Sequence, residues 1–145
     1  MDIAEFQKEY RWLSNFWPCS VFYGGITFKS SEAAYQASKV ELYQLRKEFE
    51  NLSAKEAKAK GQTLKAIRPD WDEIKDSVMY EICQNKFDQN PELKEKLLAT
   101  GEAKLTEGND WGDTYWGVCE GKGKNKLGKI LMRLRSEYQE AEKTT

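Results

Sequence analysis

The sequence predicts an α+β fold that is rich in helix and has a small β portion. Three observations indicate this fold class. Apolar residues recur at helical spacing in the middle and at the end of the chain, and the N-terminal third carries one clear hairpin signal. A chain of 145 residues with 39% hydrophobic residues suits one core. We therefore expect a single domain over residues 1–145.

The β portion is predicted at Val21–Phe28, where two short β-prone runs flank Gly24 and Gly25. A Gly-Gly pair between such runs is typical of a tight hairpin turn. Directly after the hairpin, Ser30 and Ser31 offer a helix cap. We expect the helix that follows to extend through Lys39.

Two further helices are indicated by their start signals. Ser53 and Glu56 form a capping-box pattern that opens an Ala- and Lys-rich helix, which should stop near Gly61 or Ile67. Asp70 is the predicted N-cap of the next helix. Its apolar face follows a 3.6-residue period and comprises Trp71, Ile74, Val78 and Ile82.

The C-terminal half contains two more predicted helices. Asn90-Pro91 places an N-cap and a first-turn proline before a short helix, which Thr100-Gly101 closes. The last helix follows Asn125, and its apolar stripe comprises Leu127, Ile130, Leu131, Leu134 and Tyr138. The stretch between Gly101 and Asn125 is rich in Gly, Asp and Trp and has no clear period.

Composition excludes several kinds of chemistry. The chain has no histidine, which rules out Ser-His-Asp and Cys-His relays and His-ligated zinc. The three cysteines, Cys19, Cys83 and Cys119, are far apart, so neither a disulfide framework nor a thiolate metal site is indicated. Acid–base work must fall to carboxylates, Lys, Tyr, Cys or water.

Charge and the N-terminal sequence bear on location and partners. There are 23 Lys and Arg against 24 Asp and Glu, so no general attraction to nucleic acid or membranes is expected. The first ten residues lack the apolar segment of a signal peptide, and no run approaches the ~20 apolar residues of a membrane span. Free thiols fit a reducing compartment. We expect a cytoplasmic protein with no membrane partner.

Four polar residues of the first helix would share one face, since Glu32, Tyr35, Gln36 and Lys39 follow helical spacing. Solvent exposure is the ordinary explanation for such a stripe. Ala33, Ala34 and Ala37 on the opposite side would instead permit close packing, so that the polar stripe lines a cleft. The spacing does not decide between these interpretations.

Two loop features also have alternative explanations. Four of the five tryptophans lie in loop segments, where indoles either stack on a flat ligand or seal a small core; they are Trp12, Trp17, Trp111 and Trp116. The run Gly121-Lys-Gly-Lys-Asn125 resembles an anion-binding turn at a helix N-terminus, or Asn125 is a simple cap.

Taken in order, six strings resemble the NADAR superfamily, which includes the YbiA-like N-glycosidases. They are Leu13-Ser-Asn-Phe16, Ser31-Glu32-x-x-Tyr35-Gln36-Ala37-x-Lys39, Arg68-Pro-Asp-Trp71, Lys86-Phe87-x-x-Asn90-Pro91, Asp113-x-x-Trp116-Gly117 and Gly121-x-Gly123-x-Asn125-x-Leu127-Gly128-x-x-Leu131-Met132. The match runs from about Arg11 to Arg135, and its order and spacing are preserved. Many members have His after the motif glutamate, where this chain has Ala33.

The resemblance implies hydrolysis of an N-glycosidic bond without metal or cofactor. YbiA-like members are similar to enzymes that cleave phosphorylated ribosylaminopyrimidine intermediates of riboflavin synthesis, and other NADAR members remove ADP-ribose from guanine. The expected partner is therefore a small phosphorylated riboside or ADP-ribosylated guanine, and a nucleic acid substrate is left open. The alternatives are a non-catalytic module that binds ADP-ribose or NAD, and a protein-interaction module.

Within that resemblance, two acids would divide the work at the glycosidic bond. Glu32 and Asp113 are the expected pair, in either assignment, while Lys39 could attack C1′ and Trp116 would stack on the base or exclude water. The expected substrate-binding residues are Ser14, Asn15, Phe16, Tyr35, Gln36, Gly117, Gly121, Gly123 and Asn125. Glu32, Asp113, Lys39 and Trp116 are expected to converge on one anomeric carbon.

Overall fold

The computed structural model describes residues 1–144. In chain order the elements are β1 (Ile3–Glu5), a 3₁₀ helix (Lys8–Leu13), β2 (Val21–Tyr23), β3 (Ile26–Phe28), α1 (Ser31–Ala37), α2 (Tyr43–Lys47), α3 (Ala54–Gln62), α4 (Trp71–Gln89), α5 (Pro91–Ala99), β4 (Leu105–Asn109), β5 (Val118–Cys119) and α6 (Lys126–Lys143). The predicted helix-rich α+β class is confirmed. The chain forms two compact units, named here for their place in the sequence: the central unit, Asn15–Asn90, and the terminal unit, Met1–Ser14 with the chain from Pro91 onward.

In the central unit, β2 and β3 form the predicted antiparallel hairpin, with Val21 opposite Phe28. Gly24 and Gly25 both have positive φ, the conformation that a two-residue hairpin turn requires and that glycine adopts without steric cost. Two amide side chains of α4 cover the hairpin edge at Phe22: Gln89 Oε1 accepts its N–H at 2.7 Å, and Asn85 Nδ2 donates to its carbonyl at 2.9 Å.

Helix α1 begins as predicted and ends earlier than expected. Ser30 is its N-cap, and the Ser30 hydroxyl accepts the Ala33 N–H at 3.1 Å. The helix ends at Ala37, and Ser38 and Lys39 form a turn. The reason is tertiary, because the Lys39 carbonyl accepts the Arg68 N–H at 2.9 Å. The expectation that Lys39 lies within the helix was wrong.

Helices α3 and α4 both pack against α1. The predicted capping box of α3 is present in full, with Ser53 and Glu56 each bonded to the other's backbone N–H, and the helix ends at Gln62. Asp70 is the N-cap of α4, but its carboxylate accepts from the Arg68 guanidinium instead of capping the helix. Helix α2, which the sequence did not predict, has no buried residue.

The terminal unit contains a parallel three-stranded sheet in the order β1-β4-β5. The sequence did not predict this sheet, because its strands have only two to five residues and β1 pairs with a strand that lies far away in sequence, with Ile3 opposite Leu105. Helix α6 packs on β4 with the predicted stripe, of which Leu127, Leu131, Leu134 and Tyr138 are buried. Among residues 1–144, no helix combines the length and apolar character needed to cross a bilayer.

Candidate functional site

The polar side chains of α1 are buried. Glu32 is 9% exposed and Gln36 is 4% exposed, so solvent exposure does not explain this face of the helix. Gln36 Nε2 donates to Glu32 Oε2 at 2.6 Å. Removing a carboxylate from water is costly unless hydrogen bonds compensate for the lost hydration. The Glu32–Gln36 pair is therefore a buried polar arrangement in which the Gln36 amide offsets part of the lost hydration of the carboxyl group.

Two buried acceptor atoms on α1 lack a hydrogen-bond partner within residues 1–144. They are Oε1 of Gln36 and Oγ of Ser31, and both atoms are buried. Most buried polar atoms in folded proteins have a partner, so an unpaired acceptor needs an explanation. Both atoms belong to α1, the helix that carries Glu32.

Lys39 lies in the turn after α1, half-buried beside the same cluster. Burial lowers its pKa, and the charges of Lys58 and Lys75 lower it further, while Glu32 raises it. A lower pKa increases the fraction of neutral amine, which is the nucleophilic form. The Lys39 ammonium also lies 5.7 Å from the centre of the Tyr35 ring.

Tyr35 and Asn15 pack into the core of the central unit. The Tyr35 ring contacts Trp71, with 5.1 Å between ring centres, and both side chains are buried. The backbone carbonyl of Asn15 accepts the Glu32 N–H at 3.0 Å. The side-chain Nδ2 of Asn15 donates to Met79 Sδ at 3.4 Å. Asn15 therefore fixes the backbone of Glu32 while its side chain faces α4.

Phe16 and Ser14 occupy different surroundings. Phe16 is 41% exposed, and the Lys58 ammonium lies 5.7 Å from its ring centre. Ser14 belongs to the terminal unit, where its N–H donates to the Arg11 carbonyl at the end of the 3₁₀ helix. The binding roles predicted for both residues stay predictions.

In the terminal unit, Asp113 organises the loop between β4 and β5. Its Oδ1 accepts the N–H groups of Tyr115 at 3.1 Å and Trp116 at 2.9 Å. Asn109 closes the same loop with its side chain. Its Nδ2 donates to the backbone carbonyl of Asp113, and its Oδ1 accepts the Asp113 N–H. The Trp116 ring packs edge-on against Tyr115, with 4.9 Å between centres.

The tryptophans divide between the two alternatives considered from sequence. Trp12 and Trp71 are buried and contribute to cores, as expected for Trp71. Trp111 is 53% exposed on the loop that Asn109 closes, so it does not seal a core. Trp17 and Trp116 are partly buried.

Gly117 and Asn125 are held tightly by their neighbours. A side chain at Gly117 would collide with the Glu107 carboxylate, so glycine is required there by packing. Asn125 is buried with φ of 51°, and its amide spans to β4, donating to the Leu105 carbonyl and accepting the Glu107 N–H, both at 2.9 Å. It precedes α6 as predicted, yet its side chain does not cap that helix.

Backbone N–H groups at the end of the predicted anion-binding turn are already hydrogen-bonded within the protein. The N–H groups of Lys124, Asn125, Lys126 and Leu127 donate to carbonyls of residues 114–117. A phosphate could not take these donors without breaking the turn. The ammonium groups of Lys124 and Lys126 lie 5.3 and 5.5 Å from the Tyr115 ring centre. Phosphate binding by Gly121, Gly123 and Asn125 stays a prediction.

The predicted site residues thus fall into two groups. The central unit holds Asn15, Phe16, Glu32, Tyr35, Gln36 and Lys39; the terminal unit holds Ser14, Asp113, Trp116, Gly117, Gly121, Gly123 and Asn125. Convergence of Glu32, Lys39, Asp113 and Trp116 on one anomeric carbon stays a prediction. Within residues 1–144, no cluster of three or more His, Cys, Asp or Glu side chains could hold a metal ion.

The sequence indicated Gly61 only as a possible helix end. It lies inside α3, where a side chain would collide with the Gln36 amide. An interior glycine in an otherwise Ala- and Lys-rich helix was the available signal, because glycine destabilises helices unless close packing requires it.

The family model of the NADAR domain matches residues 4–139. The chain belongs to the NADAR family. It is 39% identical over 134 residues to the N-glycosidase YbiA of Escherichia coli, covering 89% of this chain and 82% of that protein. The NMR structure of E. coli YbiA superimposes with a TM-score of 0.86 at 34% identity, covering 98% of this chain and 86% of that one.

A riboflavin biosynthesis protein of Vibrio vulnificus is 38% identical over 138 residues. The match covers 92% of this chain but only 37% of the Vibrio protein, so this chain corresponds to one part of that larger protein. Together, the NADAR relatives support the predicted enzyme class, an N-glycosidase.

Proposed function

We propose that this NADAR protein is an N-glycosidase that hydrolyses the bond between C1′ of a phosphorylated ribose and an exocyclic nitrogen, without metal or cofactor. The observation that carries the proposal is the buried Glu32–Gln36 pair. The two substrate classes considered are a ribosylaminopyrimidine phosphate and ADP-ribosylated guanine. Both contain ribose, phosphate and an aminated ring. The other proposed site residues offer aromatic side chains for the ring and lysines for the phosphate.

Glu32 is proposed to stabilise the positive charge that develops on the sugar as the C1′–N bond breaks. A fixed carboxylate acts more strongly in a buried site than in water, because the surroundings screen it less. Gln36 Nε2 donates to Glu32 Oε2, and this hydrogen bond holds the carboxyl group in place. Water then adds to C1′, and its proton balances the one taken up by the departing amine.

Asp113 is proposed as the second carboxyl group that glycosidases generally use. One of its oxygens is engaged by the N–H groups of Tyr115 and Trp116. These bonds hold the carboxylate in a fixed orientation. Glu32 and Asp113 then divide leaving-group protonation and water activation between them.

Lys39 offers a second route for the same net hydrolysis. A glycosylamine can open to an imine at C1′, and the neutral Lys39 amine would add there and expel the aminated base. The resulting Schiff base between Lys39 and the sugar is then cleaved by water, which restores the lysine and releases the sugar aldehyde. The lowered pKa of Lys39 supports this route, since it increases the supply of neutral amine.

Aromatic side chains are proposed to contact the base and lysines the phosphate. Phe16 and Trp116 are partly exposed and suit stacking on a ring. Lys124 is exposed and lies on the segment predicted to bind phosphate. Its ammonium can contact a phosphate, whereas its backbone N–H already donates to the Thr114 carbonyl. We also expect the protein to act in the cytoplasm, because its cysteines are free.

Incubation with each substrate class tests this proposal. The protein is mixed with ribosylaminouracil phosphate and, separately, with guanine-ADP-ribosylated DNA, and the released base and sugar are separated by chromatography. We expect turnover of one of them, unaffected by EDTA. Binding of ADP-ribose by calorimetry without turnover of either would instead support the non-catalytic module and contradict the proposal.

A further inference from the structure

Helices α3 and α1 pack together, and Gly61 of α3 faces the Gln36 side chain of α1. A Cβ built on Gly61 would lie 3.2 Å from Cγ and 2.6 Å from Cδ of Gln36, and closer still to its Oε1. Contacts below 3 Å do not persist between carbon atoms, so only glycine leaves room for the Gln36 amide in this position. Gly61 and Gln36 are both buried.

We infer that Gly61 is a positioning residue that fixes the place and orientation of the Gln36 amide, and through it the carboxylate of Glu32. This inference rests on the proposed function of Glu32. It assigns Gly61 a role that acts through the Gln36 side chain. The chain of contacts is Gly61 to the Gln36 amide and Gln36 Nε2 to Glu32 Oε2.

The orientation of the Gln36 amide follows from the groups that its oxygen and its nitrogen face. Oε1 of Gln36 faces the Gly61 backbone and has no conventional hydrogen-bond partner within residues 1–144. A glycine CH₂ group tolerates a carbonyl oxygen through a weak C–H contact, but it offers nothing to an NH₂ group. If the amide turned over, two acceptors would face each other at Glu32 and two donors would face the CH₂ group. Only the observed orientation supplies a donor to the carboxylate.

The location of Gly61 argues against a role in helix termination. It lies inside α3, before the last helical residue Gln62, and its φ is not positive. Glycine within a helix destabilises it relative to alanine, because the backbone loses more conformational freedom. Close approach of Gln36 explains why glycine is present at a position that otherwise favours alanine.

The variant Gly61→Ala tests the inference, and it should fold, because the atoms displaced are the end of a flexible side chain. We expect kcat to fall about ten-fold or more, since misplacing a catalytic group by about 1 Å has effects of that order. KM should change by less than about two-fold, because the lost interaction acts in the transition state. Gln36→Ala should lose a similar factor.

The double variant decides between positioning and an independent effect. If Gly61 acts only through Gln36, adding Gly61→Ala to Gln36→Ala produces no further loss of kcat. Multiplied losses in the double variant would overturn the inference. Ala59→Gly is the matched control, because it alters the backbone of α3 at an exposed position, and it should retain the wild-type kcat.

A spectroscopic readout keeps the inference testable whether or not the chosen substrate is turned over. In the wild-type protein, one proton of the Gln36 side-chain NH₂ group should resonate downfield of the usual glutamine range and exchange slowly with water, because it is held by Glu32. Gly61→Ala should return this signal to the usual range and speed its exchange, and Ala59→Gly should leave it in place. An unchanged downfield, slowly exchanging Gln36 signal in Gly61→Ala would overturn the inference. Absence of turnover in the wild-type protein would count against the proposed function alone.

Discussion

Buried polar side chains occur both on α1 and in the segment between β4 and α6, and their hydrogen-bond partners differ. The side chains of Glu32 and Gln36 hydrogen-bond to each other, and Oε1 of Gln36 has no hydrogen-bond partner among the described residues 1–144. Asn125, by contrast, uses both ends of its amide on backbone groups of β4. Asp113, which is partly buried, likewise accepts two backbone N–H groups.

This difference separates two uses of a buried polar group. A side chain whose capacity is spent on the backbone stabilises a loop that could not otherwise bury its N–H and C=O groups. A side chain that hydrogen-bonds to another side chain can be replaced without leaving a backbone group unpaired. We therefore expect changes on α1 to affect rate more than stability, and changes at Asn125 to affect stability first.

Asp113 is the residue whose replacement could contradict this comparison, and the expected effect on rate is large. In Asp113→Asn the amide oxygen can still accept the N–H groups of Tyr115 and Trp116, so the loop should survive while the charge is lost. If Asp113 is the second acid, kcat should fall by about 100-fold or more at an unchanged melting temperature. Full activity in Asp113→Asn would show that the carboxylate only builds the loop. Asp113→Ala, which removes the acceptor as well, should also lower the melting temperature.

Loss of the Asn125 amide should destabilise the protein by about 2–3 kcal/mol, because two buried backbone groups of β4 lose their partners. Urea unfolding of Asn125→Ala measures this, with the exposed Asn51→Ala as a control that should stay within about 0.5 kcal/mol of wild type. Gln36→Ala should cost less stability than Asn125→Ala and more activity. The reverse order would contradict the comparison.

The pH dependence of turnover tests Lys39 on the α1 side. Because attack needs the neutral amine, kcat/KM should rise about ten-fold per pH unit below the pKa of Lys39 and level off above it. Its lowered pKa places this plateau at lower pH than an ordinary lysine would. Lys58→Ala removes a cation that lowers the pKa, so the rising limb should move to higher pH.

Two checks accompany that profile. The exposed Lys55→Ala should leave the limb in place, and a shift to lower pH in Lys58→Ala would contradict the assignment. Borohydride added during turnover should trap a sugar adduct on Lys39, detectable by mass spectrometry. Turnover without any trapped lysine would exclude the Schiff base while leaving the carboxylate route.

The smallest effect is expected at Ser53, in the cap of the helix that carries Gly61. Ser53→Ala removes one half of the capping box and should cost about 1 kcal/mol of unfolding free energy. Because the cap is exposed and lies at the other end of α3, kcat should stay at the wild-type value. A loss of kcat without a loss of stability would mean that the start of α3 affects catalysis independently of Gly61.

Local signals made much of the central unit predictable. The hairpin turn at Gly24-Gly25, the Ser30 cap and the Ser53–Glu56 capping box depend on residues within a few positions of one another. The polar spacing of α1 also predicted that Glu32 and Gln36 share a face. Burial of that face depends on its packing against α3 and α4, which spacing does not contain.

Features that depend on distant contacts were not predictable. The end of α1 at Ala37 follows from the bond between the Lys39 carbonyl and Arg68, and β1 pairs with β4 across about a hundred residues. Asn125 occupies the expected position before α6, yet its amide bonds to β4 instead of capping the helix or binding an anion. In each case the partner lies far away in sequence.

The most direct test is the single-turnover rate of base release by Glu32→Gln beside wild type, with the exposed Glu41→Gln as the control. Glutamine keeps the size of the side chain but removes the charge that the breaking C1′–N bond requires. We predict a fall on the order of 10²–10⁴-fold for Glu32→Gln, with its melting temperature retained and Glu41→Gln unchanged. Base release by Glu32→Gln at the wild-type rate would contradict the account.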